Sequence, residues 1–246
     1  MVIRHDVDDR RYRIADDFYP PLADLPVEGH GVLISDRWVV TAAHAVSWQQ
    51  IPVASLSIAG RPRRIARIIV HPGFKKPPTD ISGDARPLMD FLLKGDDIAL
   101  IELTEPVRDV DPASFYLGSE AGKIAMIVGK GATGNGLIGQ GGTRGNRTEL
   151  RRAFNRIETA EANWLTYRFD QGVEALSLEG MLGNGDSGGP VLIQDDGVWK
   201  LAALASWKWW DGDLSTFRAG VYGQVSYQVR MSHYREWIEQ IISRTG

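Results

Sequence analysis

The chain has 246 residues, 43% of them hydrophobic and 24% charged, with a formal net charge of −3 and no cysteine. That length suits one large domain or two small ones, and the small negative charge gives no electrostatic reason to bind nucleic acid or an anionic membrane. The lack of cysteine excludes disulfides, thiolate catalysis, zinc–thiolate sites and iron–sulfur clusters, but leaves the redox compartment open.

The chain opens with MVIRHDVDDRRYR, which is charged and lacks the apolar core of a signal peptide. It therefore reads as intracellular or as a chain whose leader has been removed. No apolar run approaches the length of a membrane span. Short strands rich in Val and Ile follow, bounded by Gly, Pro or Asp: GVLIS (31–35), RWVVTA (37–42), RRIARIIVHP (63–72), DIALIEL (97–103) and KIAMIVGKG (123–131). The stretch GKGATGNGLIGQGG (129–142) reads as a long mobile loop, and TRGNRTELRRAFNRIE (143–158) as a possible helix with Leu150, Phe154 and Ile157 on one side. PVLIQ (190–194) and VWKLAALASW (198–207) flank Asp195-Asp196-Gly197, a good hairpin turn, and AGVYGQVSY (219–227) is the last strand. In SHYREWIEQIIS, Tyr234, Trp237, Ile238, Ile241 and Ile242 share one helical face, with Ser232 as the expected N-cap. Many short strands and few helical periods predict an all-β protein of barrels or sandwiches. A boundary near 115–123 divides it into residues 1–118 and 119–246.

GNGDSGGPV (183–191) is the chemically informative stretch. Glycines so dense mark a backbone that turns sharply or approaches something closely, and an exposed Ser187 in such a turn is a candidate nucleophile. A serine hydroxyl needs a base, and among the five histidines (5, 30, 44, 71 and 233) His44 stands in VVTAAHAV, at a tight strand end. An acid must then hold the imidazole in one tautomer, and Asp97 opens the apolar strand DIALIEL.

Together WVVTAAH, the His-Pro pair at 71–72, DIALIEL, GDSGGPV, the Ser-Trp pair at 206–207, GVYGQVS and the terminal helix resemble the chymotrypsin/trypsin-like serine peptidase family, in its cysteine-free form. The resemblance covers most of the chain. It implies two six-stranded β-barrels with the site in the cleft between them, a C-terminal α-helix, and a serine endopeptidase acting through an acyl-enzyme on peptide or protein substrates. It implies Ser187 as nucleophile, His44 as base and then acid, and Asp97, not its neighbour Asp96, as the orienting carboxylate. The backbone N–H groups of Gly185 and Ser187 would form the oxyanion hole. Asp186 would pair with a freed α-ammonium, which the usual start of the family would supply and which here is expected from Val2 or Ile3.

By the same analogy the primary pocket has its floor at Met181, with Leu182 and Gly183 adding apolar character. Asn184 and Gly220 line it, and the strand Ser206-Trp207-Lys208 pairs with the substrate backbone. No Asp stands at 181, so an apolar or small residue is expected at the cleaved position. Lys208, where the family often has glycine, would narrow the mouth or attract an acidic side chain. No cofactor is expected. Asp80, Asp84, Asp90 and Asp96 fall irregularly in one long loop and read as solvated, with no metal site. A secreted or periplasmic location goes with the leader-removed reading.

Two other functions compete. A catalytically silent binding protein on this fold would leave Ser187 unreactive. An esterase of the α/β-hydrolase type would read G-x-S-x-G as its nucleophile elbow, with Asp211 or Asp213 and then His233 in the order that fold requires.

Overall fold

Strand alternation sends successive side chains to opposite sides of a sheet, and in this chain both sides are apolar. Leu33, Val39, Ile101 and Leu103 pack with Leu25, Leu56 and Ile58 in one core. Their neighbours Val32, Trp38, Val40, Ile98 and Leu100 pack the other way, against Met126, Leu192, Leu204 and Tyr234 from the second half of the chain. Such strands can close on themselves and still bury their outer face, which is what they do. The computed structural model describes residues 1–47, 54–141 and 147–244. It shows two closed barrels of six strands each.

The first barrel runs Leu22–Asp24, His30–Ser35, Trp38–Thr41, Ala99–Leu103, Arg61–Val70 and Ser55–Ile58 around its circumference, every neighbouring pair antiparallel. The second runs Arg151–Glu161, Trp164–Arg168, Val225–Arg230, Val198–Lys208, Pro190–Asp195 and Ile124–Gly129. The hairpin at Asp195–Gly197 forms as expected, with positive φ at both Asp196 (50°) and Gly197 (80°), the backbone that Asp-Gly turns favour.

Four sequence expectations change. The possible helix at 143–158 is a strand, Arg151–Glu161, as far as it lies within the described residues. Its alternate residues Arg151, Ala153, Asn155 and Ile157 are buried, and ladders on both sides outweigh its helical spacing. The loop at 129–142 is largely ordered: Gly134–Asn135 and Gly139–Gln140 pair with each other, and the former with Val2–Ile3. Residue 142 lies outside the described part. Residues 219–224 precede the last strand and belong to turns. The long loop at 80–96 contains a helix, Arg86–Leu93, led by Pro87 in its first turn. Asp90 rides on that helix, and the Asp84 backbone bridges to Asp213. Among the described residues no three His, Cys, Asp or Glu side chains converge to hold a metal ion, and no helix is long and apolar enough to cross a membrane.

Both chain ends cross the midline. Val2–Ile3 adds to Gly180–Met181 of the second half, although its sequence position put it with the first. The terminal helix, Met231–Ser243, buries Tyr234 and Ile238. It closes on the first half: the Tyr234 hydroxyl donates to Asp96 at 2.7 Å, and His71 packs edge-on to Tyr234 and Trp237. Its N-cap is Arg230, not Ser232. The Ser232 hydroxyl donates instead to buried Glu120 at 2.7 Å, and Arg230 grips the same carboxylate through two bonds of 3.0 and 2.9 Å.

Burial pushes the Glu120 carboxyl up, but the bonds from Arg230 and Ser232 outweigh it and hold the group below its ordinary value. The stability this gives is present above the ordinary carboxylate pKa and is lost as pH falls through the folded-state value. Glu120→Ala is expected to cost about 1.5–3 kcal/mol at neutral pH, read from urea midpoints. The gap to the wild type should shrink on acidification.

Candidate active site

Three local geometries present the three side chains. His44 sits on a single helical turn, Ala43–Ser47, directly after Trp38–Thr41. Asp97 stands two residues before Ala99–Leu103. Ser187 occupies the turn between Gly180–Met181 and Pro190–Asp195. The first two belong to the first barrel and the third to the second, so the groove between barrels is where they meet.

His44 Nε2 lies 2.7 Å from Ser187 Oγ, and His44 Nδ1 lies 2.7 Å from Asp97 Oδ2. The His44 backbone N–H donates to Asp97 Oδ1 at 2.8 Å, and the Ser206 hydroxyl donates to Oδ2 at 2.5 Å. Asp97 is therefore fixed from three directions and can hold the imidazole with Nδ1 protonated, leaving Nε2 as the acceptor facing the serine. Asp96 turns away to Tyr234 and His71. His233, which the esterase reading needs, is exposed on the terminal helix. Ser187 leads into a strand, not the helix of a nucleophile elbow, which removes that reading.

The loop around Ser187 is organised by Asp186, which has no exposed surface. Its carboxylate accepts from the backbone N–H groups of Gly131 and Gly183, each at 2.7 Å, and lies 2.9 Å from the α-ammonium of Met1. The Met1 ammonium also donates to the carbonyls of Ala132 and Gly131. Burial raises the Asp186 pKa, but the Met1 charge and the amide bonds bring it below its ordinary value. Burial also lowers that of the Met1 ammonium. In the structure the α-ammonium of Met1 holds this place, and the backbones of Val2 and Ile3 pair with a strand on each side.

Gly185 has φ of +86°, a left-handed conformation that glycine adopts without strain. Gly188, at φ +74°, has no room for a side chain: a Cβ there would lie 2.2 Å from the His30 carbonyl and 2.4 Å from Thr41 Oγ1. The two barrels are thus in backbone contact beside the serine, and the His30 N–H donates to the Ser187 carbonyl at 2.8 Å. The N–H groups of Gly185 and Ser187 have no acceptor among the described residues, and both residues line the groove.

The groove encloses about 750 Å³. Of the positions the resemblance assigned to substrate contact, Asn184, Ser206, Trp207 and Lys208 line the groove, and Met181 and Gly220 are not among its lining residues. Met181 is wholly buried, packed with Met1, Val2, Tyr167 and Phe169. The open side of Gly220 is filled by Val2, whose Cγ2 lies 2.6 Å from where a Cβ would be. Met181, expected as the floor for the cleaved residue, instead belongs to the core it shares with the N-terminal strand, which pairs with it. The groove's apolar character comes instead from residues the sequence reading passed over: Leu88, Met89 and Leu92 on the helix Arg86–Leu93, and Trp210, Leu214 and Phe217 on the segment packed beside it. That helix is held over the groove by the Trp164 indole N–H bonding Leu93 O and the Asn163 amide bonding Gly95 O, both at 2.8 Å. The signal was legible in RPLMDFLL, with apolar residues recurring behind a proline.

Asp186→Asn would leave the Met1 ammonium buried without a counter-charge. It is expected to lower stability by about 3–5 kcal/mol, seen in thermal melting, together with loss of the Ser187 loop geometry.

A model of the Trypsin family matches residues 17–238. The calcium-dependent serine proteinase of Mesocricetus auratus is 31% identical over 244 residues, covering 88% of this chain and 32% of that protein. Vitamin K-dependent protein C of Rattus norvegicus is 28% identical over 236 residues, covering 86% of this chain and 45% of that protein. Complement C1s subcomponent of Rattus norvegicus is 29% identical, covering 85% and 31%. The chain thus spans less than half the length of each of these relatives. With the family match running from residue 17 to 238 and two six-stranded barrels facing across the groove, the chain belongs to the trypsin family of serine proteases.

Proposed function

We propose that this protein is a serine endopeptidase that cleaves peptide bonds through an acyl-enzyme on Ser187. The observation that carries the reading is the continuous chain from Asp97 Oδ2 through both His44 nitrogens to Ser187 Oγ, each link 2.7 Å. In the first half-reaction Ser187 Oγ bonds to the substrate carbonyl carbon while its proton passes to His44 Nε2. The carbonyl π electrons move to the oxygen, which the N–H groups of Gly185 and Ser187 are free to receive. As that oxyanion collapses, the C–N bond breaks and the imidazolium gives its proton to the departing amine. Water repeats the sequence on the ester and frees Ser187. Each oxyanion donor is worth roughly 3–4 kcal/mol in the transition state.

The substrate's extended backbone has an edge to join. Trp207 and Lys208 pair with Tyr227 and Ser226 on one side, while pairing with Pro190–Asp195 on the other stops at Leu204. Beyond that point the strand edge opens on the groove and can take an added strand. The apolar helix and the Trp210–Phe217 wall then suit apolar side chains flanking the cleaved bond.

A fluorophosphonate should label Ser187, and His44→Ala should lower kcat by about 10⁴- to 10⁶-fold, whereas His233→Ala retains activity. Unlabelled Ser187 in folded protein, or an active His44→Ala enzyme, would overturn the proposal. In a peptide library, replacing an apolar residue by aspartate at a position other than the one whose carbonyl Ser187 attacks should lower kcat/KM by about tenfold or more, in keeping with burial of one apolar side chain at roughly 1.5–3 kcal/mol.

A further inference from the structure

Lys208 places a largely buried positive charge in the groove wall. Its side chain is only 8% exposed, yet among the described residues its ammonium has no hydrogen-bond or ion-pair partner. Burying a lysine charge unpaired is costly, and burial pushes this ammonium down to about 8, with Asp186 opposing the shift. Asp186 cannot serve as its partner: its oxygens are taken by the Met1 ammonium and by the amides of Gly131 and Gly183. The Met1 and Asp186 charges cancel each other, so Lys208 leaves one positive charge over in this wall.

The position of that charge is informative. Ser206 directs its hydroxyl to Asp97, Trp207 stacks on Tyr227 at 4.1 Å, and Lys208 lines the same groove as Ser187, Gly185 and Asn184. A carbonyl attacked by Ser187, with its oxygen at the Gly185 and Ser187 amides, puts its own residue's side chain between the 184–187 loop and the strand edge at 206–208. With Met181 and Gly220 packed against Val2 and absent from the groove lining, the charged group that side chain meets is the lysine.

We propose that Lys208 selects an acidic residue, glutamate or aspartate, at the position whose carbonyl Ser187 attacks. The inference rests on the hydrolytic reading above and replaces the expectation of an apolar or small residue there. A carboxylate entering this space supplies the missing counter-charge and accepts a charge-assisted hydrogen bond, whereas an apolar side chain would cover the ammonium and leave it unpaired.

The test uses matched peptides differing only in Glu, Gln, Leu or Lys at the cleaved position, with fluorophosphonate labelling of Ser187 run alongside. Glu and Gln have nearly the same shape, so their ratio reads charge. kcat/KM for Glu should exceed that for Gln by about ten- to a hundredfold. Lys208→Met, checked by thermal melting, should abolish that ratio, and Lys208→Glu should move the preference towards the Lys peptide. Equal rates for Glu and Gln, a preference for Leu, or a Glu preference that survives Lys208→Met would overturn the assignment of Lys208 while labelled Ser187 leaves the peptidase reading standing. Unlabelled Ser187 with no peptide cleaved would overturn the peptidase reading itself, and the inference with it.

Discussion

A carboxylate with no contact to solvent fixes the geometry of this molecule's groove. Asp186 would be intolerable in the interior as a bare charge, and the chain answers with a buried ammonium and an amide from two distant segments, Met1 and Gly131, and a second amide from Gly183 in its own loop. Satisfying that charge determines the path of residues 183–189. The same path leaves the amides of Gly185 and Ser187 without acceptors among the described residues and brings Gly188 against the backbone of the other barrel. The N-terminal strand, the glycine-rich hairpin and the Ser187 turn are therefore one electrostatic unit, although they are far apart along the chain.

The two barrels divide the remaining work. The first holds His44 and Asp97 close to regular structure, where ladders on both sides limit their freedom. The second offers Ser187 on a turn. The apolar layer between barrels, with Trp38, Val40, Leu100, Met126 and Leu192 among its buried members, makes their relative placement a packing problem. Close-packed interiors accept few solutions, so the 2.7 Å contact across the groove inherits its precision from hydrophobic burial elsewhere. The terminal helix adds to this by fastening Tyr234 onto Asp96, the residue beside Asp97.

Charge accounting then separates what is structural from what is poised for a ligand. Glu120 is matched by Arg230 and Ser232, Arg151 by Asp9, and Asp186 by Met1. Among the described residues Lys208 in the groove wall is left without such a match, and it lines the space a substrate would enter. The apolar side chains of the helix Arg86–Leu93 and of Trp210 and Phe217 line the same groove, and an apolar lining strengthens a charge pair formed there.

Much was legible in the residues themselves. The barrel strands around Val39, Ile101, Ile127 and Val191 announced themselves by short β-branched runs between Gly, Pro and Asp, because burial on both faces demands that composition locally. The Ser187, His44 and Asp97 motifs were readable for a related reason: each needs a particular turn or strand end, which a few adjacent residues encode. Residues 151–161 misled because helical spacing of Leu150, Phe154 and Ile157 is also compatible with a strand whose partners lie far away in sequence. That Val2 fills the space beside Gly220 and that Met181 packs with the N-terminal strand were settled by contacts between remote segments. Local sequence fixes backbone preference and hydrophobic period; which charges are matched, and which one is left facing the groove, depends on long-range contacts that only the closed fold supplies.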